Sequence, residues 1–153
     1  MKIHIIGGPG SGKSSLAKEL SKRYGIPHYD LDDLYWKNET GSYGTKRDPQ
    51  ERDALLERIL QKKDWIIEGF YYAWCGRCFE DADKIYLLDV PRYQYRHRII
   101  RRFVRRKLAL EDGKRETLRS VSDLLKWADR FRDSNLPEIR KLLAAYPEKV
   151  TEK

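Results

Sequence analysis

Read for its apolar positions alone, the chain alternates short buried runs with longer stretches in which apolar residues recur every three to four positions. That alternation predicts strands joined by helices, in a parallel sheet covered on both faces. A first strand is expected at about Lys2 to Ile6 and a helix at about Lys13 to Tyr24. Gly25-Ile26-Pro27 breaks the pattern, and a short strand, His28 to Leu31, leads into Asp32-Asp33-Leu34-Tyr35-Trp36. Lys37 to Arg47 is polar and holds Gly41 and Gly44, so about 37–48 reads as a mobile loop. Asp48-Pro49 then supplies a cap and a first helical proline, opening a helix to about Lys62 with Leu55, Leu56, Ile59 and Leu60 on one side. Trp65-Ile66-Ile67-Glu68-Gly69 reads as a buried strand, and Lys84 to Asp89 as a fourth that ends at Val90-Pro91. Tyr95, Ile99, Ile100, Phe103 and Val104 recur at helical spacing among arginines. Two further helices are expected, at about Thr117 to Arg132 and Pro137 to Tyr146, with Glu148 to Thr151 as a short fifth strand.

Between the first strand and its helix stands Gly7-Gly8-Pro9-Gly10-Ser11-Gly12-Lys13-Ser14, which fits the phosphate-binding pattern G-x-x-x-x-G-K-[ST] in the context that pattern requires. The glycines let successive backbone N–H groups converge on one anion, Lys13 reaches the outer phosphates, and the Ser14 hydroxyl is offered to Mg²⁺. The helix adds the positive end of its dipole. A tight packing turn would account for the glycines but for neither Lys13 nor Ser14. Gly8, Pro9, Gly10, Ser11, Gly12, Lys13, Ser14 and Ser15 are therefore the candidate ligands of a nucleotide, with ATP and Mg²⁺ as expected cofactors.

Ligands of an open parallel sheet gather at the carboxyl ends of its strands. Asp30-x-Asp32-Asp33, Glu68 and Asp89 end there. Glu68 is the candidate to hold Mg²⁺ through water, against the plainer reading of a carboxylate at a strand end followed by a turn at Gly69. Asp32 and Asp33 would orient an acceptor hydroxyl or take its proton, or else cap the turn after the second strand. Tyr35 and Trp36 either stack on a planar acceptor or pack a hinge. Eight basic side chains lie between Arg92 and Lys107, and Arg98 and Arg102, one turn apart, are placed to act on one ligand.

Composition adds bounds rather than chemistry. The 153 residues fit one domain, 1–153. Lys and Arg number 32 against 24 Asp and Glu, a formal charge of +8 that favours anionic partners without choosing among nucleotide, nucleic acid and lipid headgroup. No apolar run approaches the roughly 18 residues of a membrane span, and the chain opens on a strand, so a soluble cytoplasmic protein without membrane partners is expected. Cys75 and Cys78 form a single C-x-x-C, half of a zinc site at most, and read as structural thiols or a reversible disulfide.

At these residues the chain resembles adenylate-kinase-like P-loop kinases and, among them, the bacterial DNA topology modulation proteins. Ile26-Pro27 with Leu31-Asp32-Asp33-Leu34-Tyr35-Trp36, Trp65-Ile66-Ile67-Glu68-Gly69-Phe70-Tyr71, and Trp127 with Phe131 carry the likeness. The resemblance implies a three-layer α/β P-loop NTPase fold, like a nucleoside monophosphate kinase, with about five mostly parallel strands and a short helical lid at about 107–119. It also implies Arg98 near the adenine and Arg102 near the phosphates, with Arg115 and Arg119 as lid contacts and Arg77 as an acceptor-phosphate ligand. Glu68-Gly69-Phe70 stands where adenylate kinases have Asp-Gly-Phe.

The reading that results is a Mg-ATP-dependent kinase acting on a small acceptor, a nucleotide or nucleoside. Lys13, Asp32, Asp33, Arg98 and Arg102 would be catalytic. Asp32, Tyr35, Trp36, Glu68, Gly69 and Arg77 would meet the acceptor, and Ser14 and Glu68 the metal. The alternative is an ATP-responsive nucleic-acid-binding protein whose arginine helix contacts phosphate backbone. Monomer and homodimer both remain open.

Overall fold

Alternation along the strands sorts the core into two faces. The computed structural model describes residues 1–37, 45–108 and 118–153. Its main strands are β1 (Lys2–Gly7), β2 (His28–Asp30), β5 (Trp65–Gly69), β6 (Lys84–Leu88) and β7 (Val150–Glu152), with a separate antiparallel pair of β3 (Trp36–Lys37) and β4 (Thr45–Lys46). The five form one parallel sheet in the order β2-β5-β1-β6-β7. Helices α1 (Lys13–Tyr24), α2 (Leu31–Tyr35), α3 (Pro49–Leu60), α4 (Gly76–Asp81), α5 (Arg92–Lys107), α6 (Leu118–Arg130) and α7 (Leu136–Leu143) flank it.

On one face Ile3, Ile5, Ile66, Tyr86 and Leu88 pack with Ala17 and Leu20 of α1. On the other, Ile6, Trp65, Ile67, Ile85 and Leu87 meet Leu56 and Ile59 of α3, Phe79 of α4, and Ile139 and Leu143 of α7. A third cluster joins Tyr95, Ile99 and Phe103 of α5 to Val121 and Ala128 of α6. This is the P-loop NTPase architecture expected from the sequence, and each fully buried large side chain in it contributes roughly 1.5–3 kcal/mol.

Several elements differ from the sequence reading, each for a local reason. The second strand stops at Asp30 because its carboxylate accepts from the Asp32 N–H at 2.9 Å and so caps α2. Helices α2 and α4 are too short to show a period. The two expected terminal helices are continuous: a π-helical turn, Phe131–Asn135, joins α6 to α7. Pro137 has no N–H, and the turn widens before it, with the Leu136 N–H reaching back five residues to the Phe131 carbonyl. The last strand is Val150–Glu152 rather than Glu148 to Thr151. Of the loop expected at 37–48, residues 38–44 lie outside the described residues, while the flanking β3 and β4 pair and the Arg47 N–H bonds Tyr35 O at 2.8 Å. Of the lid expected at 107–119, residues 109–117 lie outside them, Arg115 among these. Arg119 is exposed on α6. No helix among the described residues is long and apolar enough to cross a membrane.

His4, on β1, is fully buried with its ring edge-on to Phe79 at 4.6 Å. Burial holds its pKa down at about 4. The folded protein therefore carries His4 neutral, while the unfolded chain protonates it near pH 6.5. Stability should fall as pH drops from 6.5 towards 4, by on the order of 3 kcal/mol at most from this group. Urea unfolding across that window is expected to show a shallower acid limb in His4→Leu than in the parent.

Candidate functional site

The turn from β1 into α1 is built to expose backbone. Gly10 (φ 72°) and Gly12 (φ 93°) lie in the left-handed region, and the Ser11 N–H closes on Gly8 O at 3.2 Å. Gly12 precedes α1 without any side-chain cap, so the first turn through Lys13, Ser14 and Ser15 keeps its N–H groups for a ligand. Two neighbours then press on the loop. A Cβ on Gly10 would stand 2.7 Å from Tyr95 O of α5, and one on Gly8 2.8 Å from Phe131 Cδ1 of the π-helical turn.

Beside the loop opens a cleft of about 690 Å³ whose walls include Lys13, Ser14, Ser15, Leu88 and Val90. Arg98, Arg101, Arg102 and Arg105 supply one side of it. These positions, spaced i, i+3, i+4 and i+7, share one face of α5. Arg98 Nη1 donates to Gly10 O at 3.2 Å and Ser11 O at 3.0 Å, which locks the guanidinium over the loop. The expected Arg98 and Arg102 pair thus meets Lys13 and Ser14 in one basic cleft of the size a nucleotide needs.

Across the sheet from that cleft the pleat gathers carboxylates. Asp30 of β2 and Glu68 of β5 are register partners and, with Ile66, point to the α1 face. Glu68 is 2% exposed, and its Oε2 has no hydrogen-bond partner among the described residues. A buried, unpartnered carboxylate oxygen beside a phosphate loop fits a hard cation that completes its shell with phosphate oxygens and water. Among the described residues no three acids, histidines or cysteines form a metal cage, so any Mg²⁺ here would depend on Ser14, Glu68 and the nucleotide itself. Burial first, and then the neighbouring Glu68 carboxylate, push the Asp30 carboxyl up to about 7, and Lys13 acts in the opposite direction. Asp30 stood in the Asp30-x-Asp32-Asp33 segment without a role. Its pairing with Glu68 depends on β2 lying next to β5, which no local pattern reveals.

Asp32 and Asp33 part company. Asp32 is half-buried and accepts from Tyr71 OH at 2.7 Å, a bond that, after desolvation, helps hold the Tyr71 hydroxyl well above its ordinary pKa. Asp33 is exposed, with its carbonyl taking a bond from Arg47 at 3.3 Å. Tyr35 stacks on Tyr71 at 4.9 Å and on Trp74 at 6.3 Å, with Trp36 edge-on at 5.0 Å, so the expected aromatic pair belongs to a larger aromatic wall beside Asp32. Gly69 is buried where Leu31 closes on it, 3.0 Å from the place of a Cβ. Arg77 is ion-paired with Glu57, and with Asp81 at 3.2 Å. Asp89 binds Arg132 at 3.0 Å and Arg140 at 2.6 Å, fastening β6 to the π-helical turn and α7. Cys75 and Cys78 are buried free thiols, and Cys75 Sγ donates to Tyr71 O at 3.0 Å, which makes them part of the packing behind the aromatic wall.

Comparison with known proteins places this arrangement. Residues 6–119 match the sequence family described as AAA domain. A Bacillus subtilis (strain 168) protein, Uncharacterized protein YqaC, is 32% identical over 143 residues, 90% of this chain and 76% of that protein. An adenylate kinase of Clostridium kluyveri is 47% identical over 118 residues, and one of Kosmotoga olearia 28% over 118, each covering 60% of this chain. The chain spans 54% of the length of these two kinases.

The contacts on Gly10 make a direct expectation. Gly10→Ala places a Cβ against a backbone oxygen at a positive φ, so it should cost about 1–3 kcal/mol of stability and weaken binding of a fluorescent ATP analogue. Urea unfolding and titration of the variant measure the two effects separately.

Proposed function

The chain belongs to the AAA domain family of P-loop, kinase-like nucleotide-binding proteins, and we propose that it is a Mg-ATP-dependent phosphotransferase that moves the γ-phosphate to a small acceptor of the nucleotide or nucleoside type. The observation that carries this reading is the meeting of two half-sites across the β1 to α1 turn. On one side stands the basic cleft with Lys13, Ser14, Arg98 and Arg102, and on the other Asp30, Asp32 and Glu68. An ATP-hydrolysing switch needs the first half and one acid for the metal, a task Glu68 alone would meet, and leaves Asp30 and Asp32 without use. A carboxylate group beside an aromatic wall adds a place for a second substrate.

Each group has a defined task. The loop amides and Lys13 hold the donor phosphates, with Ser14 and Glu68 the residues that would hold Mg²⁺. That ion, when bound, neutralises phosphate charge. Arg98 and Arg102 counter the negative charge that spreads over the transferring group. Asp32 positions the acceptor from a carboxylate fixed by Tyr71, and Asp33, facing solvent, has the lesser part. The adenylate kinases it resembles support a nucleotide as donor.

The nucleic-acid reading of α5 draws less support from the geometry. Arg98, Arg101, Arg102 and Arg105 turn into the cleft, while Arg92 and Arg96 pair with Asp133 and Asp129 at 3.2 and 2.7 Å.

Lys13→Ala is expected to abolish phosphoryl transfer from Mg-ATP while far-UV circular dichroism and the unfolding midpoint stay at parental values. Parental turnover in that variant would overturn the assignment.

A further inference from the structure

The acceptor half of the site differs from the donor half in charge, and that difference names a substrate class. Asp30, Asp32 and Glu68 converge at the carboxyl ends of β2 and β5, Glu68 being buried with an unpartnered Oε2. Among the described residues, Arg77, Arg47 and Arg52 on this side are engaged with the protein itself. Arg77 is paired with Glu57 and Asp81. Arg47 donates to Leu34 O at 2.9 Å, Asp33 O at 3.3 Å and Glu51 at 2.9 Å. Arg52 pairs with Asp53 at 2.8 Å and lies 4.3 Å over the Trp74 ring.

A phosphate monoester brought here would carry close to two negative charges next to the Asp32 carboxylate, and among the described residues Arg47, Arg52 and Arg77 are each engaged with acidic side chains of the protein rather than set as a fork to receive it. An uncharged hydroxyl compound meets no such cost. The ring of Tyr71 stacks with Tyr35 while its hydroxyl fixes Asp32 Oδ1, so one residue links an apolar wall to a carboxylate whose Oδ2 is the remaining acceptor. A sugar or nucleoside offers a matching pair of features, a flat or apolar face for the wall and a hydroxyl for the carboxylate.

We propose, resting on the phosphotransferase reading above, that the acceptor is an uncharged hydroxyl compound of the sugar or nucleoside type rather than a nucleoside monophosphate, with Asp32 as the base that receives its proton. In the step, the acceptor oxygen bonds to the γ-phosphorus and the bond from that phosphorus to the β,γ-bridging oxygen breaks. ADP leaves with the electron pair, and the hydroxyl proton passes to Asp32 Oδ2 and from there to solvent. A phosphate acceptor is already ionised and would leave Asp32 without this task.

The test uses the full chain with Mg-ATP. Donor binding is followed with a fluorescent ATP analogue, and products by ³¹P NMR, over nucleosides and free sugars set against the corresponding monophosphates. The expected result is a phosphate monoester from an uncharged acceptor, with the matching monophosphate turned over at least tenfold less efficiently. Asp32→Asn should lower kcat about 100-fold and leave donor affinity within about twofold, whereas Asp32→Glu should recover part of the rate. Formation of nucleoside diphosphates from monophosphates at equal or better efficiency overturns the proposal. So does donor binding without phosphorylation of any uncharged acceptor, or an Asp32→Asn variant with kcat reduced less than tenfold. Absence of donor binding in the parent protein instead overturns the phosphotransferase reading on which the proposal stands.

Discussion

One constraint organises the molecule: the backbone between β1 and α1 must stay bare enough to wrap an anion while other elements pack directly on it. Left-handed Gly10 and Gly12 shape the loop, and Tyr95, Phe131 and Arg98 close on it from α5 and the π-helical turn. A side chain at Gly8 or Gly10 would meet an aromatic ring or a carbonyl at under 3 Å. The glycines are thus required twice, for the ligand and for the helices behind it. This ties the basic cleft mechanically to α5 and α6, whose own contact is a small apolar cluster reinforced by Tyr95 OH and Arg96 on Asp129.

The second organising element is the pleat. Parallel pairing of β2 with β5 sets Asp30 beside Glu68, and alternation turns both towards α1 rather than towards the α3, α4 and α7 face. Two carboxylates held close and out of water cost folding energy, which a cation or a shared proton offsets. The Lys13 charge acts on Asp30 against that cost. On the far side of β6, Asp89 is treated oppositely, since Arg132 and Arg140 neutralise it and it serves to anchor the π-helical turn against the sheet.

How far the fold and site were legible follows from the range of the forces involved. The three longer strands β1, β5 and β6 and helices α1, α3 and α5 follow from apolar period, caps and breakers within a dozen residues. The same applies to Lys13 and Ser14, whose positions in the loop are local. Short elements escaped: α2 rests on a single Asp30 cap and α4 on six residues, too few for a period. The break expected near Pro137 became a π-helical turn because continuous packing of Phe131, Leu136 and Ile139 on the sheet outweighs one missing backbone bond. Arg77 shows the limit for charges, since Glu57, 20 residues earlier in the chain, claims it.

By itself the sequence determined the alternation of strands and helices, the phosphate loop and the spacing of the arginines on α5, because each is written in neighbours along the chain. Tertiary structure decided which of those arginines turn into the cleft, that Asp32 rather than Asp33 is held by Tyr71, and that Asp30 joins Glu68. Those choices depend on strand order and helix packing, where residues tens of positions apart compete for the same few ångströms and the same partners.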